Sequence, residues 1–264
     1  MSEGTTPPAN LAGPPAGPPG DQARSSGTPL REHPVIAIDG PAGAGKSTMA
    51  AHLARRFGFL NLETGAMYRA LAFKAIDNDL DFADEAALVE LAENTRIALE
   101  PQLEGNRVLL DGVDVSRRVR EPDVTAAASK VSVHPRLRAW MVDQQRLLGR
   151  RGGVVMEGRD IGTVVFPDAE VKIFLDAAPE VRGNRRYRQS GPAETNFTEQ
   201  AKVTEEAMVR ELKERDERDR TRAESPLRPA EDAVILDSTS MTLDEVLAAA
   251  EKIVRDHVTE SQLH

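Results

Sequence analysis

Ile36-Ala-Ile-Asp-Gly-Pro-Ala-Gly-Ala-Gly-Lys-Ser-Thr48 joins an apolar run to a glycine-rich turn, and a helical pattern follows at once. Gly40, Gly45, Lys46 and Ser47 satisfy G-x-x-x-x-G-K-[ST], the phosphate-binding P-loop. Glycines let successive backbone N–H groups wrap a phosphate, and the helix adds its positive end. Lys46 then reaches the outer phosphates, and the Ser47 hydroxyl suits a magnesium ion. Because a strand precedes the motif and a helix follows it, the pattern predicts a triphosphate site rather than a chance match in a turn.

Composition narrows the class of protein. A chain of 264 residues with 40% hydrophobic residues and no cysteine builds a core without disulfides, which excludes a secreted disulfide scaffold. It has no apolar run long enough to span a membrane and no secretory signal. A net charge of −9 and a pI near 5.2 argue against a nucleic-acid binder. We therefore expect a soluble, cytoplasmic protein with no membrane or nucleic-acid partner.

The first 32 residues differ from the rest of the chain. They contain seven prolines, five glycines and no aromatic residue, so they cannot bury enough apolar surface to offset the entropy of ordering. We predict a disordered tail over 1–32 and a single domain over 33–264.

Strand-like and helical segments alternate through that domain. Apolar runs near 35–38, 59–62, 153–156, 171–175 and 233–236 are separated by helical patterns, which predicts an α/β fold with a central five-stranded parallel sheet covered by helices on both faces. Those helices are predicted over 47–57, 66–77, 84–94, 123–133, 135–148, 179–190 and 198–220. Two short strands around a turn-rich segment predict a small antiparallel β insert at about 96–116. Thr242-Leu-Asp-Glu245 fits a capping box that starts a last helix.

Arginines recur where this fold places loops and helix ends. A P-loop alone fits an ATPase, a GTPase, a kinase or a transporter, but the guanine-reading Asn-Lys-x-Asp of GTPases is missing. Phosphoryl transfer needs charge stabilisation, which arginine supplies by binding phosphate oxygens in pairs. The mixed-sign run at 205–222 is typical of a solvated helix face. Within it Arg215, Asp219 and Arg222 share one face, so they are also able to form a wall of a site.

Glu157-Gly158-Arg159-Asp160 follows an apolar strand. Ligands of open parallel sheets bind beyond the carboxyl ends of the strands. We expect Gly158 to turn the backbone sharply, Arg159 to bind phosphate and Asp160 to accept a hydrogen bond from an exocyclic amine. The alternative is an Arg–Asp ion pair that only ties a loop.

Four segments together resemble bacterial cytidylate kinase, of the P-loop nucleoside monophosphate kinase family. They are the P-loop at 40–47, Thr64-Gly-Ala-Met-Tyr-Arg69, Gly158-Arg-Asp-Ile-Gly-Thr-Val-Val-Phe-Pro-Asp168 and Lys213-Glu-Arg-Asp-Glu-Arg-Asp-Arg-Thr-Arg222. The resemblance covers about residues 34–255. It implies a nucleoside-monophosphate-kinase-like fold and transfer of the γ-phosphoryl group of ATP to CMP or dCMP, with Mg²⁺, by a monomer.

The resemblance also implies regions and site residues. The core comprises 33–62 and 152–258, the monophosphate-binding region 63–151, and a mobile lid about 182–198 that brings Arg182, Arg185, Arg186 and Arg188 over ATP. ATP contacts are implied for Gly40, Pro41, Ala42, Gly43, Ala44, Gly45, Lys46, Ser47, Thr48 and Arg185. CMP contacts are implied for Thr64, Arg69, Ser129, Arg138, Arg159, Asp160, Arg215, Asp219 and Arg222. The catalytic residues would be Lys46, Arg159, Arg215 and Arg222, and Ser47 would hold Mg²⁺ with water and phosphate oxygens.

Three positions depart from the family pattern. Glu63-Thr64 stands where Asp-Ser is expected, and Glu157 where Asp is expected, which puts the magnesium and ribose contacts in question. Asp39, which ends the first strand, either assists the metal through water or orders the loop. Other hypotheses remain at this stage. They are a P-loop kinase for a different monophosphate, a regulator that senses ATP without turnover, and a nucleic-acid binder, which the acidic pI disfavours.

Overall fold

The computed structural model describes residues 31–102, 105–190 and 205–263. Most of the predicted tail and part of the predicted lid, 191–198, therefore lie outside the described residues, as do 198–204 of the predicted helix. Arg31, which we assigned to the tail, pairs with Asp168 at 2.7 Å and Glu170 at 3.1 Å and lies over the Phe166 ring.

A five-stranded parallel sheet forms the centre of the domain, as predicted. Its strands are β1 (Val35–Asp39), β2 (Leu60–Glu63), β6 (Val154–Gly158), β7 (Val171–Asp176) and β8 (Val234–Asp237), in the order β2-β6-β1-β7-β8. All four pairings are parallel, so the carboxyl ends of the strands share one edge of the sheet. β1 lies in the middle with all five residues buried. The P-loop therefore leaves the centre of that edge.

Helices cover both faces. They are α1 (Lys46–Phe57), α2 (Thr64–Asp77), α3 (Glu85–Glu93), α4 (Pro122–Val131), α5 (Pro135–Gly149), α6 (Pro179–Ser190), α7 (Glu205–Thr221) and α8 (Leu243–His257). Alternate residues of β1 enter different cores because successive side chains of a strand point to opposite faces. Val35 and Ala37 belong to a core with α2 to α5. Ile36 and Ile38 belong to a second core with α1 and α8.

The predicted β insert is a separate three-stranded antiparallel sheet. It comprises β3 (Ile97–Gln102), β4 (Gly105–Leu110) and β5 (Val113–Asp114). Buried Asn106 docks it against β2, because its amide accepts from the Glu63 N–H at 2.9 Å and donates to the Asn61 carbonyl at 2.7 Å. The insert thus supports the end of the strand that leads into α2.

Two local expectations are wrong. No loop separates β2 from α2, because the chain turns at Glu63 itself (φ −88°, ψ 92°) and Thr64 and Gly65 form the first helical turn. Gly158 does not turn the backbone sharply but ends strand β6. A Cβ there would lie 2.7 Å from Ile161 and 3.0 Å from the Thr64 hydroxyl, so glycine provides room rather than a turn. The turn follows as a π-helical segment, Ile161–Val165.

The capping box predicted at Thr242 is present. The Thr242 hydroxyl accepts from the Glu245 N–H at 3.3 Å, and the Glu245 carboxylate accepts from the Thr242 N–H at 2.8 Å. None of the helices within the three described ranges is both long and apolar enough to cross a membrane.

Candidate active site

The P-loop has the backbone shape that phosphate binding requires. Gly43 and Gly45 adopt φ of +76° and +102°, which a residue with a side chain rarely adopts. A Cβ on Gly40 would lie 2.0 Å from the Leu175 carbonyl oxygen, so only glycine fits where the loop passes β7. Gly45 precedes α1 and no side chain caps that helix. The first N–H groups of α1 are therefore available to an anion.

A cleft of about 520 Å³, the P-loop cleft, opens on one side of this loop. Six of the predicted ATP contacts, Gly43 to Thr48, line it together with the predicted Arg185. Gly40 and Pro41 lie outside its lining, and Ala42 faces the second cleft instead. The opposite wall is apolar and includes Met241, Leu243, Val246 and Leu247 around the start of α8. We did not predict this wall, which includes the exposed Leu243 next to the Thr242 cap.

A second cleft of about 230 Å³, the arginine cleft, lies on the other side. It contains every predicted CMP contact, brought together from α2, α4, α5, α7 and the end of β6. Seven basic and four acidic side chains line it, so it carries a surplus of three positive charges in a protein whose net charge is −9. The basic residues are Lys46, Arg69, Arg138, Arg159, Arg186, Arg215 and Arg222. Such a surplus suits a phosphorylated ligand.

Asp160 and Asp219 organise these arginines. Asp160 is hydrogen-bonded to Arg138 and lies 3.9 Å from the Arg222 guanidinium. Asp219 accepts from Arg159 at 3.0 Å and lies 3.6 Å from Arg222. Burial opposes the charge of Asp219, but Arg159 and Arg215 outweigh it and hold its pKa below the ordinary value. Arg159 and Asp160 therefore do not pair with each other to tie a loop, because each pairs with a residue of another element while lining the cleft.

The departures from the family pattern lie at the floor of this cleft. The Glu63 carboxylate is hydrogen-bonded to Arg69, and the Thr64 hydroxyl donates to the Glu157 carbonyl at 2.7 Å. In this state Arg69 is neutralised by Glu63, six residues before it. The longer glutamate reaches the guanidinium that we assign to the acceptor phosphate.

Unpartnered polar atoms concentrate in the arginine cleft. Among the described residues, eight buried side-chain nitrogen or oxygen atoms lack a hydrogen-bond partner, and five belong to this lining. They are Arg69 Nε, Ser129 Oγ, Arg138 Nε, Arg215 Nε and Arg222 Nη2. Buried polar groups are nearly always satisfied in native proteins, so a cluster of unsatisfied ones indicates a missing polar ligand.

The two clefts meet at five residues. Gly43, Lys46, Ser47, Glu157 and Arg186 line both, so ligands in the two clefts would face each other across them. Burial, reinforced by Arg159 and Arg215, lowers the pKa of Lys46 to about 7. Burial, reinforced by Glu63, raises the pKa of Glu157. A bound polyphosphate would restore the charge of Lys46 because it supplies the missing negative partner.

A magnesium ion fits this junction. The Ser47 hydroxyl and the buried Glu157 carboxylate both line this junction and supply oxygen donors of the kind that Mg²⁺ accepts. Within 31–102, 105–190 and 205–263, no three acidic or histidine side chains form a complete metal site. The remaining ligands would therefore come from phosphate and water. Asp39 accepts the N–H groups of Ile161 and Gly162 at 2.8 and 2.7 Å, which favours the interpretation that it orders the loop after β6.

The four arginines that we placed over ATP have different environments. Arg185 and Arg186 line the P-loop cleft, whereas Arg188 is exposed outside both clefts. Arg182 is 1% exposed and makes three hydrogen bonds inside the protein. Its assignment as a residue that closes over ATP is therefore wrong. Its guanidinium already donates to two carbonyl oxygens and one carboxylate of the protein.

Comparison with known proteins adds an independent finding. The family model described as cytidylate kinase matches residues 36–256. A cytidylate kinase of Pelotomaculum thermopropionicum is 51% identical over 219 residues, covering 83% of this chain and 94% of that protein. One from Solibacter usitatus is 49% identical over 225 residues (85% and 94%), and one from Aeromonas salmonicida 48% over 217 residues (81% and 91%). Together with the two adjoining clefts, these matches show that the chain belongs to the cytidylate kinase family.

Proposed function

We propose that this chain transfers the γ-phosphoryl group of ATP to CMP or dCMP, giving ADP and CDP or dCDP, in the presence of Mg²⁺. The observation that carries the proposal is the pair of clefts that meet at Lys46, Ser47, Glu157 and Arg186. A donor in one cleft and an acceptor in the other would place their phosphates at the same junction. Holding two reactants in this way replaces a bimolecular encounter by a positioned one.

The P-loop cleft suits ATP. The N–H groups of the loop and of the α1 N-terminus would bind the phosphates, and Lys46 would reach the outer two. The apolar wall of Met241, Leu243, Val246 and Leu247 suits a flat base and offers it little hydrogen bonding. Arg185 is held near that wall by the Ser238 carbonyl at 2.8 Å.

The arginine cleft suits a cytidine monophosphate. Its seven basic side chains suit the phosphate of a nucleotide, and Asp160, Arg138 and Ser129 suit a polar base. Asp160 would accept a hydrogen bond from the cytosine amine, while Arg138 and Ser129 would donate to the ring acceptors. Uracil presents the opposite pattern and would leave these groups unpaired. Arg215 and Asp219 would adjoin the ribose, with Thr64 at the monophosphate.

Charge stabilisation would supply most of the catalysis. The acceptor phosphate is already an anion, so the chain needs no general base, and the reaction depends on cations near the transferred group. Lys46 and Arg186 line the junction. Arg159, Arg215 and Arg222 line the arginine cleft, where the acceptor would bind. Arg69 would exchange Glu63 for the acceptor phosphate. Mg²⁺ held by Ser47, phosphate oxygens and water would neutralise charge on the donor.

The proposal extends to location and assembly. ATP and nucleoside monophosphates are cytoplasmic metabolites, so we place the enzyme in the cytoplasm. We further propose that the enzyme acts as a monomer. We also propose a lid at about 182–198, of which 191–198 lie outside the described residues. We assign no role to the tail.

The test is ADP release from ATP and Mg²⁺ with CMP, dCMP, UMP, AMP, GMP or shikimate offered separately. Lys46→Ala, purified in parallel, controls for contaminating kinases. We expect turnover with CMP and dCMP far above the other acceptors. Preference for another acceptor would replace the base-reading assignment, and ATP binding without turnover of any acceptor would favour the sensor hypothesis.

A further inference from the structure

We infer that Arg182 positions the P-loop, by fixing the peptide unit between Ala42 and Gly43 so that its N–H faces the phosphates of the donor. Arg182 lines neither the P-loop cleft nor the arginine cleft, so it would act as a positioning residue and not as a catalytic one. The inference rests on the proposed function only in taking a polyphosphate as the P-loop ligand.

Arg182 lies in the first turn of α6 and is almost completely buried. Its Nε donates to the Ala177 carbonyl at 2.8 Å, which anchors the guanidinium to the chain after β7. One terminal nitrogen donates to the Ala42 carbonyl in the P-loop at 2.8 Å. The other donates to the Asp216 carboxylate on α7 at 2.6 Å. The three acceptors come from three different parts of the fold, so one side chain joins α6, α7 and the P-loop.

The consequence for the loop follows from the shape of a peptide unit. In a trans peptide the C=O and the N–H point in opposite directions. An Ala42 carbonyl held on Arg182 therefore directs the Gly43 N–H to the opposite side, and Gly43 lines both clefts. The reverse orientation would aim a carbonyl dipole at the phosphates and repel them.

This peptide needs an external constraint. A peptide flip rotates ψ of the preceding residue and φ of the following one, and Gly43, at φ +76°, populates either sign of φ readily. The neighbouring carbonyls of the loop are held as well. Lys46 Nζ donates to the Pro41 carbonyl at 2.7 Å, and Arg185 is 3.5 Å from the Ala44 carbonyl. The contact from Arg182 differs because Arg182 lines neither the P-loop cleft nor the arginine cleft, whereas Lys46 lines both and Arg185 lines the first.

Asp216 holds Arg182 in this orientation. Its side chain is 9% exposed and carries the charge that keeps a buried guanidinium acceptable. The two residues are 34 positions apart, on the two helices that flank the undescribed segment 191–204. A change in how α6 packs on α7 would therefore alter the hydrogen bond to the Ala42 carbonyl.

The test uses the full chain and four proteins. Arg182→Met/Asp216→Leu removes both buried charges with apolar side chains of similar size, which keeps the α6–α7 contact folded. Asp216→Asn keeps Arg182 but weakens its anchor. Lys213→Met is the matched control, because it removes the 2.8 Å contact to Glu180 that joins the same two helices, and Lys213 lines neither the P-loop cleft nor the arginine cleft. Thermal denaturation checks that each protein is folded.

Two readouts distinguish positioning from a general structural effect. Calorimetry measures the dissociation constants of the β,γ-imido analogue of ATP and of CMP. NMR follows the Gly43 amide during the ATP-analogue titration. We expect the double variant to bind the analogue about tenfold more weakly, as for the loss of one hydrogen bond from a backbone N–H to a charged phosphate. The double variant should bind CMP as tightly as wild type does, and Lys213→Met should bind both ligands as tightly as wild type. Asp216→Asn should have an intermediate affinity for the analogue. The ligand-induced shift of the Gly43 amide should be smaller in the double variant.

Equal losses for both ligands, or wild-type affinity for the analogue in a folded double variant, would overturn the inference. A wild-type protein that fails to bind the analogue would instead refute the proposed function.

Discussion

Asp160→Asn exchanges one oxygen of a buried carboxylate for an amine without changing the side-chain volume. Asp160 is hydrogen-bonded to Arg138 and lies 3.9 Å from Arg222. Arginine donates and cannot accept, so the new amide must keep its oxygen on Arg138. Its NH₂ group then faces the base, where cytosine also presents an amine. The substitution thereby turns a matched contact with CMP into a mismatch and offers a donor to the O4 of uracil.

The magnitude follows from the bond that is exchanged. A hydrogen bond to a charged group contributes about 1.5–3 kcal/mol, and a neutral one about 0.5–1.5 kcal/mol. CMP should lose a hydrogen bond to a charged group, and UMP should gain a neutral hydrogen bond. Since about 1.4 kcal/mol is a factor of ten, the ratio of kcat/KM for CMP to that for UMP should fall by about thirtyfold or more. ATP affinity should not change, because Asp160 lies outside the lining of the P-loop cleft.

The assay is a coupled measurement of ADP release with CMP and with UMP, at saturating ATP. Asp232→Asn is the control, because Asp232 also binds a cation through both oxygens, Lys172 at 2.9 and 2.7 Å, yet lines neither cleft. An unchanged CMP-to-UMP ratio in a folded Asp160→Asn protein would refute the base-reading role. It would leave Asp160 as an ion-pair partner that holds Arg138 and Arg222.

Three further predictions concern the junction, α8 and the N-terminus. The pKa of Lys46, lowered from 10.5 to about 7, means that the unfolded chain binds more protons between these values, so this residue makes stability rise with pH there. ADP binding at pH 8 should accordingly take up close to one proton, measured by calorimetry in two buffers, and Lys46→Met should take up none; equal uptake would disprove the assignment. Thr242→Ala should lower the free energy of unfolding by about 1 kcal/mol and Thr242→Ser by much less, and equal losses in denaturant titrations would contradict the capping role. Removing residues 1–30 should leave turnover and Tm unchanged, whereas also removing Arg31 should lower Tm because its contacts to Asp168 and Glu170 are lost; a large loss from the shorter deletion would give the tail a function.

The sequence predicted elements well where the signal is local. Period-two and continuous apolar runs located all five sheet strands, and turn residues located the β insert, because strand and turn preferences act over a few neighbours. The capping box at Thr242 is a four-residue pattern and was found directly. The strand order β2-β6-β1-β7-β8 lay beyond the pattern, since it depends on which strands pack together.

Helix α7 shows why charged residues are harder to interpret. The mixed-sign run predicted a solvated face, and Glu211, Lys213 and Glu214 are indeed exposed. The opposite face carries Asp216 and Asp219, which are buried against arginines of α6 and of the loop after β6. The sequence pattern of alternating charges is the same for an exposed helix face and for a buried, ion-paired one. The partners decide burial, and they lie 34 and 60 residues away.

The candidate site divides in the same way. The P-loop lining follows from one motif. In the arginine cleft, strand-end position and helix spacing pointed to Arg159, Asp160, Arg215, Asp219 and Arg222, whereas the family resemblance was needed for Thr64, Arg69, Ser129 and Arg138. The apolar wall of the P-loop cleft and the buried position of Arg182 were missed, because neither has a motif with a fixed spacing.

The division of the core by the central sheet has a consequence for how such an enzyme changes over generations. The core that contains Val35 and Ala37 supports α2, α4 and α5, which carry four of the nine proposed acceptor contacts. The core that contains Ile36 and Ile38 supports α1 and α8, which line the cleft proposed for the donor. Substitutions that repack one face need not disturb the other, because β1 keeps the two sets of side chains apart. A duplicated gene could thus acquire a new acceptor by drift on one face while its use of ATP is inherited unchanged.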